Sequence, residues 1–317
     1  MMEIHAPEKV GFSAERLKRV SSGMKKYVDE GLVAGIITLV ARKGVVVHLE
    51  TSGYQNLQEK KPMALDTLFR IYSMTKPITS AALMMLYEQG LVRLEDPIHK
   101  YIPWFKDLKV IAAEGDLVKA RQDITVRHLL THTAGLSYGD YQNEQDSQVD
   151  RLYLDSDLEN PTITNEELAR RIADLPLRYH PGENYFYSYA TDIVGYLVEI
   201  LSEMTLSEFM GKNIFGPLGM EDTLFRVPND KTHRLSELYG VTEDKPLDVI
   251  DASIGGDFFN CRRDAAGSGL VSTIKDYYRF AHCIFNRGEL DGFRILGSRT
   301  VDLMRANHLP ASLLPIQ

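Results

Sequence analysis

Ser73 and Lys76, in the stretch Phe69-Arg-Ile-Tyr-Ser73-Met-Thr-Lys76-Pro77, have the types and spacing for nucleophilic chemistry. A serine hydroxyl is a weak nucleophile at neutral pH, and a nearby desolvated amine is one way to activate it. Three residues apart on one helical face, the amine can reach the serine oxygen. The β-type run from Thr67 to Ile71 leads into Ser73, and the apolar segment behind it reads as a helix stopped by Gly90. Ser73 therefore falls where a strand hands over to a helix N-terminus, whose unpaired N–H groups and positive dipole end favour developing negative charge. Pro77 sits in the first turn, where a missing N–H costs least.

Spacing alone does not single out this pair, because Ser22–Lys25 and Ser272–Lys275 repeat it. Ser22 and Lys25 lie in an amphipathic helix opened by Ser13, flanked by polar residues, and read as its wet surface. Ser272 stands at another helix start, where Thr273 with Asp276 supplies the cap and explains the residues without catalysis. Gly135-Leu-Ser137-Tyr138-Gly139 matches the nucleophile elbow Gly-x-Ser-x-Gly. The elbow needs a buried strand before the serine and a helix after it, and here a turn precedes and a polar loop follows. His128 and His132, four apart, lack the Glu of a His-Glu-x-x-His zinc helix and read as residues fixing a turn.

The 317 residues are 44% hydrophobic and 25% charged, ordinary for a globular enzyme of one or two domains. A net charge of −8 argues against nucleic acid or an anionic membrane as partner. The first ten residues carry no apolar signal region, and no stretch reaches transmembrane length. Cys261 and Cys283 read as reduced thiols, and no Cys/His cluster has zinc spacing. A cytoplasmic protein is expected.

The elements that must position Ser73 begin with the Ser13-capped helix. A hairpin follows, Gly35–Ala41 and Val45–Glu50, turning at Arg42-Lys43-Gly44. Gly53 to Asp66 reads as a polar connection, not the alternating order of a parallel α/β sheet. Beyond Gly90, Asp96-Pro97 reads as the start of a helix ending before Pro103. Lys109–Asp123 reads as a small hairpin and Thr125–Leu130 as a helix. Thr164 with Glu167 and Thr205 with Glu208 match capping boxes, and Ala190–Met204 is strongly helical. A loop of small residues from Asp251 to Ser272 leads into a helix from Thr273 to Asn286. A turn at Asp291-Gly292 and a short helix at Ser298–Arg305 come last.

Tyr185-Phe-Tyr187-Ser-Tyr189 follows His180-Pro-Gly-Glu183 and opens the helix at Ala190. Tyrosines at a helix start are usually packing residues, yet a tyrosinate beside an ammonium is a plausible general base. Five blocks then occur in a familiar order: Ile71–Pro77, Gly90–Pro97, Leu129–Leu136, Pro181–Ser188 and Gly267–Thr273. With them the sequence resembles the serine β-lactamase and penicillin-binding-protein superfamily, especially class C β-lactamases and family VIII carboxylesterases. The resemblance implies an α/β fold of the α+β type, an antiparallel sheet flanked by helices. Residues 1–74 and 250–317 would form the α/β domain, and residues 75–249 a mostly helical insert. It also implies Ser73 as the acylated nucleophile, Lys76 as its proton partner and Tyr187 as the second-motif base. Tyr189 and Tyr138 are read as substrate contacts. No cofactor or metal is called for, and the partner is a small-molecule ester.

Two departures from the family shape the expected activity. Tyr189 stands where the lactamase motif Tyr-x-Asn has its asparagine, which favours ester over β-lactam or peptide substrates. The third motif, Lys-Thr-Gly or Trp-Gly-Gly on a late strand, is missing; Lys231-Thr-His233 is out of order and lacks the glycine. A truncated chain without its last strands is therefore expected. The readings are a serine esterase of short-acyl esters, a β-lactamase or D-Ala-D-Ala peptidase, and a non-catalytic binding protein or inactive fragment.

Overall fold

The computed structural model describes residues 2–111, 115–139, 147–241, 247–250, 258–314 and 316. The Ser13 hydroxyl accepts the Arg16 N–H and opens helix α1 (Ala14–Asp29). Leu17 of α1 packs with Val10 and Val47 against the first sheet. That sheet has the order β1 (Gly35–Arg42), β2 (Val45–Asn56), β3 (Lys61–Pro62), all antiparallel. Its first turn is only Lys43-Gly44, at φ 54° and 76°, the left-handed pair that matches strand twist in a two-residue hairpin. β2 runs beyond the expected Glu50 to Asn56, so part of the expected polar connection is strand, held by Gly35 opposite Gly53 and by Tyr54 opposite Pro62.

β4 (Phe69–Arg70) is shorter than the expected Thr67–Ile71 and leads into helix α2 (Thr75–Glu88). Gly90 follows α2 at φ 75°, as a C′ residue should. The helix expected at Asp96-Pro97 does not form; two 3-10 turns, Ile98–Lys100 and Pro103–Phe105, take its place. The Asp96 carboxylate turns back to the Arg93 N–H (3.1 Å) instead of capping forward, and the Ile98 N–H goes to the Ile124 carbonyl (2.8 Å). The expected hairpin is present as β5 (Lys109–Ile111) and β6 (Leu117–Lys119), while its residues 112–114 lie outside the described residues.

Helices α3 (Val126–Leu130), α4 (Gln148–Asp155), α5 (Asn165–Ala173), α6 (Ala190–Ser202) and α7 (Leu206–Met210) follow. Thr205 and Glu208 form the expected reciprocal capping box, and Thr164 accepts the Glu167 N–H. α6 stops short of Met204 because Glu203 turns left-handed at φ 57°. The strand pair β7 (Tyr239–Gly240) and β8 (Asp248–Val249) comes next. Of the small-residue loop expected from Asp251, residues 251–257 lie outside the described residues. β9 (Val271–Ser272) then pairs antiparallel with β4, bringing distant chain beside Ser73. Helix α8 (Ile274–Phe285) is capped by Thr273. The hairpin β10 (Glu289–Leu290) and β11 (Phe293–Arg294), helix α9 (Ser298–Arg305) and a 3-10 turn at Ala311–Leu313 come last, giving a mixed α/β architecture as expected.

α2 is the central core helix. Ile78, Ala81, Ala82, Leu83 and Leu86 are buried and join Ile193, Val194 and Leu197 of α6 in one hydrophobic cluster. Among the described residues no disulfide joins Cys261 and Cys283, and no helix is long and apolar enough to cross a membrane.

Gly195 shows how closely α6 approaches the loop before β9. A Cβ there would lie 2.2 Å from the Ala266 Cβ and 3.2 Å from a Leu206 methyl. Ala usually stabilises an exposed helix over Gly by up to about 1 kcal/mol. Here the overpacking should win, so Gly195→Ala should lower unfolding free energy by about 1–3 kcal/mol in urea melts. A raised midpoint would contradict the close packing.

Candidate active site

The residue before Ser73 has an uncommon backbone. Tyr72 sits at φ 42°, left-handed for a bulky residue, with its ring edge-on to Phe258 at 6.0 Å. The twist presents Ser73 on the surface at the head of α2. Among the described residues the Ser73 backbone N–H has no hydrogen-bond acceptor, which leaves it free to face an oxyanion.

Lys76 lies one turn on and is 9% exposed. Its Nζ is 3.2 Å from Ser73 Oγ and donates to the Gly267 carbonyl at 2.9 Å. The same atom lies 4.5 Å from the ring centre of Tyr187 and 5.4 Å from that of Tyr138, within cation–π range. The pair at the helix head is thus joined by two of the three expected tyrosines, Tyr187 and Tyr138, one on each of two other segments.

Gly267 is fixed from the other side. Its N–H donates to Asp192 of α6 at 3.1 Å. A Cβ at Gly267 would lie 2.5 Å from the Asp192 carboxylate and 3.0 Å from the Tyr138 hydroxyl, so no side chain fits. Burial raises the pKa of Asp192, with Arg263 and the Gly267 N–H opposing. In the sequence Asp192 stands out only as an acidic residue in the first turn of a helix, and Gly267 carries no sign of being the acceptor for Lys76.

Tyr187 is 40% exposed and stands between His132 (ring centres 4.8 Å) and Tyr138 (5.5 Å). Tyr189 is elsewhere: it is 4% exposed, beneath Tyr138, and its hydroxyl donates to the Glu159 carboxylate. Burial and then the Glu159 charge raise the Tyr189 pKa; burial and then Asp192 raise that of Tyr138. Both therefore remain neutral hydroxyls.

The competing motifs have structural partners. Ser137 is fully buried, donates to the Asp150 carboxylate and accepts the Gly139 N–H. Ser22 donates to the Arg19 carbonyl while Lys25 pairs with Asp29. Ser272 shares a hydrogen bond with Thr223 at 2.8 Å. His128 is the N3 residue of the Thr125 capping box, its Nδ1 accepting the Thr125 N–H. Lys231 is held by Asp222 at 2.7 Å and by the Glu221 carbonyl at 3.0 Å.

An exposed serine at a helix head, with a buried lysine on its oxygen, is the arrangement that a lysine-activated serine nucleophile needs. The Beta-lactamase family model matches residues 20–312, and the chain belongs to that family of serine hydrolases and acyltransferases. It is 34% identical to Protein Rv1367c of Mycobacterium tuberculosis over 295 residues, 91% of this chain and 71% of that one. It is 30% identical to Esterase EstB of Burkholderia gladioli over 67% of this chain and 52% of that one. Among solved structures it is similar to EstCE1, a hydrolase with promiscuous acyltransferase activity. That match has a TM-score of 0.77 and 29% identity, over 91% of this chain and 76% of that one.

Burial, and secondarily the Lys76 charge, pull the His132 pKa from 6.5 to about 4. The folded protein then binds fewer protons than the unfolded chain between about pH 4 and 6.5. The stability held above that window is lost as pH falls through it, by an amount on the order of 3 kcal/mol. The difference in unfolding free energy between the wild type and His132→Asn should therefore change across this window. A difference independent of pH would contradict the buried, neutral imidazole.

Proposed function

We propose that this protein is a serine esterase that hydrolyses small, short-acyl carboxylic esters through an acyl-enzyme on Ser73. The observation that carries this reading is the 3.2 Å contact of Lys76 Nζ with Ser73 Oγ, made by a buried amine anchored on Gly267. In the acylation step the Ser73 oxygen bonds to the ester carbonyl carbon as its proton passes to the Lys76–Tyr187 pair. Collapse of the tetrahedral adduct breaks the bond to the alcohol oxygen, which takes that proton and leaves. Water then attacks the acyl-enzyme, gives up a proton to the same pair, and releases the acid as the proton returns to Ser73. The free N–H of Ser73 supports the charge on the carbonyl oxygen.

Tyr189 supports esters over amides. It occupies the place of the family's amide-binding asparagine, and its ring is buried with the hydroxyl engaged by Glu159. The names of EstB and EstCE1 point the same way.

Hydrolysis of a p-nitrophenyl short-chain ester tests the reading. Ser73→Ala should lower kcat by at least about 10³-fold. Undiminished turnover by Ser73→Ala would remove Ser73 from the chemistry. The unsubstituted protein should turn over the ester much faster than a cephalosporin; the reverse order would make it a β-lactamase.

A further inference from the structure

Tyr187 is held by one residue at three places. The His132 carbonyl accepts the Phe186 N–H at 2.9 Å, on the near side of Tyr187. The His132 Nδ1 accepts the Ser188 N–H at 3.2 Å, on the far side. Between them the imidazole ring packs on the Tyr187 ring, centres 4.8 Å apart and planes at 36°. The imidazole and the Tyr185 ring also meet edge to face, centres 6.2 Å apart. A left-handed backbone at His132, φ 53°, lets carbonyl and ring reach the same strand of chain.

From this grip we infer that His132 is the positioning residue for Tyr187, fixing the backbone on both sides of it and the plane of its ring relative to Lys76. The inference rests on the proposed role of Tyr187 in proton movement. Only the unprotonated Nδ1 can accept the Ser188 N–H, so the neutral ring carries its proton on Nε2. The Ser188 hydroxyl lies within 3.4 Å of the same Nδ1 and adds a second contact. His132 itself is not assigned any contact with substrate. Its effect on rate passes through Tyr187, since a small displacement of a proton-transferring group can cost about 100-fold.

Steady-state kinetics on the p-nitrophenyl ester tests this with a double-mutant cycle. His132→Phe keeps a ring but has no acceptor for Ser188; it should lower kcat about 10- to 100-fold with KM within about threefold. His132→Asn keeps an acceptor near the Nδ1 position and tolerates the left-handed backbone, so it should recover part of that loss. In the Tyr187→Phe background, His132→Phe should change kcat less than about twofold, because the group it positions is gone. Equal losses in both backgrounds, or no loss in the Tyr187-containing protein, would overturn the positioning role. If His132→Phe does not fold, His132→Asn carries the cycle, and equal losses in both backgrounds again overturn the role. Full activity in Tyr187→Phe alone would instead remove Tyr187 from the chemistry, and the His132 inference with it. Ser73→Ala remains an independent check on the esterase reading.

Discussion

The Lys76 amine is held at two points, the Gly267 carbonyl and the Ser73 hydroxyl, and much of the fold serves to put it there. Burying an amine costs several kcal/mol unless it is hydrogen-bonded. Here the cost is offset by a carbonyl from a segment 191 residues further along the chain and by the faces of two tyrosines. The contact is therefore tertiary: α2 supplies the spacing, but only the loop before β9 supplies the anchor.

That loop is fixed from several directions. Thr79 of α2 donates to the Ala266 carbonyl at 2.7 Å, and the Thr75 hydroxyl accepts the Leu270 N–H at 3.2 Å. Asp192 of α6 takes the Gly267 N–H, and β4–β9 pairing ties the loop's end to the strand before Ser73. Gly195 and Gly267 are small because α6, Tyr138 and the loop meet there with no room for a side chain. A change in any of these contacts moves the carbonyl that orients Lys76.

The helix-head serine, the Ser13, Thr205 and Thr273 caps, the hairpin turn (read one residue longer, as Arg42-Lys43-Gly44) and the α6 periodicity were legible in the sequence. Each rests on interactions within a few residues, where side-chain type and spacing carry the physics. The expected helix at Asp96-Pro97 failed because local cap chemistry lost to a backbone bond with Ile124 and to the Asp96 bond to Arg93. The Asp192–Gly267–Lys76 chain was not legible, since its partners are far apart in sequence and two of its links are backbone atoms common to every residue. His132 was legible as a turn residue, whereas its hold on Tyr187, made through Ser188 lying 56 residues from His132, required the folded chain. Tyr189 read as a substrate contact, but its side chain turns inward to Glu159.

If Ser73 is the nucleophile of a formed site, a reagent selective for activated serines should mark it and no other serine. Intact mass and peptide mapping after treatment with an active-serine phosphonate decide this. One adduct on the peptide carrying Ser73, lost in Lys76→Met, is the predicted result. No adduct on the folded protein, or an adduct on Ser137 or Ser272 instead, would contradict it.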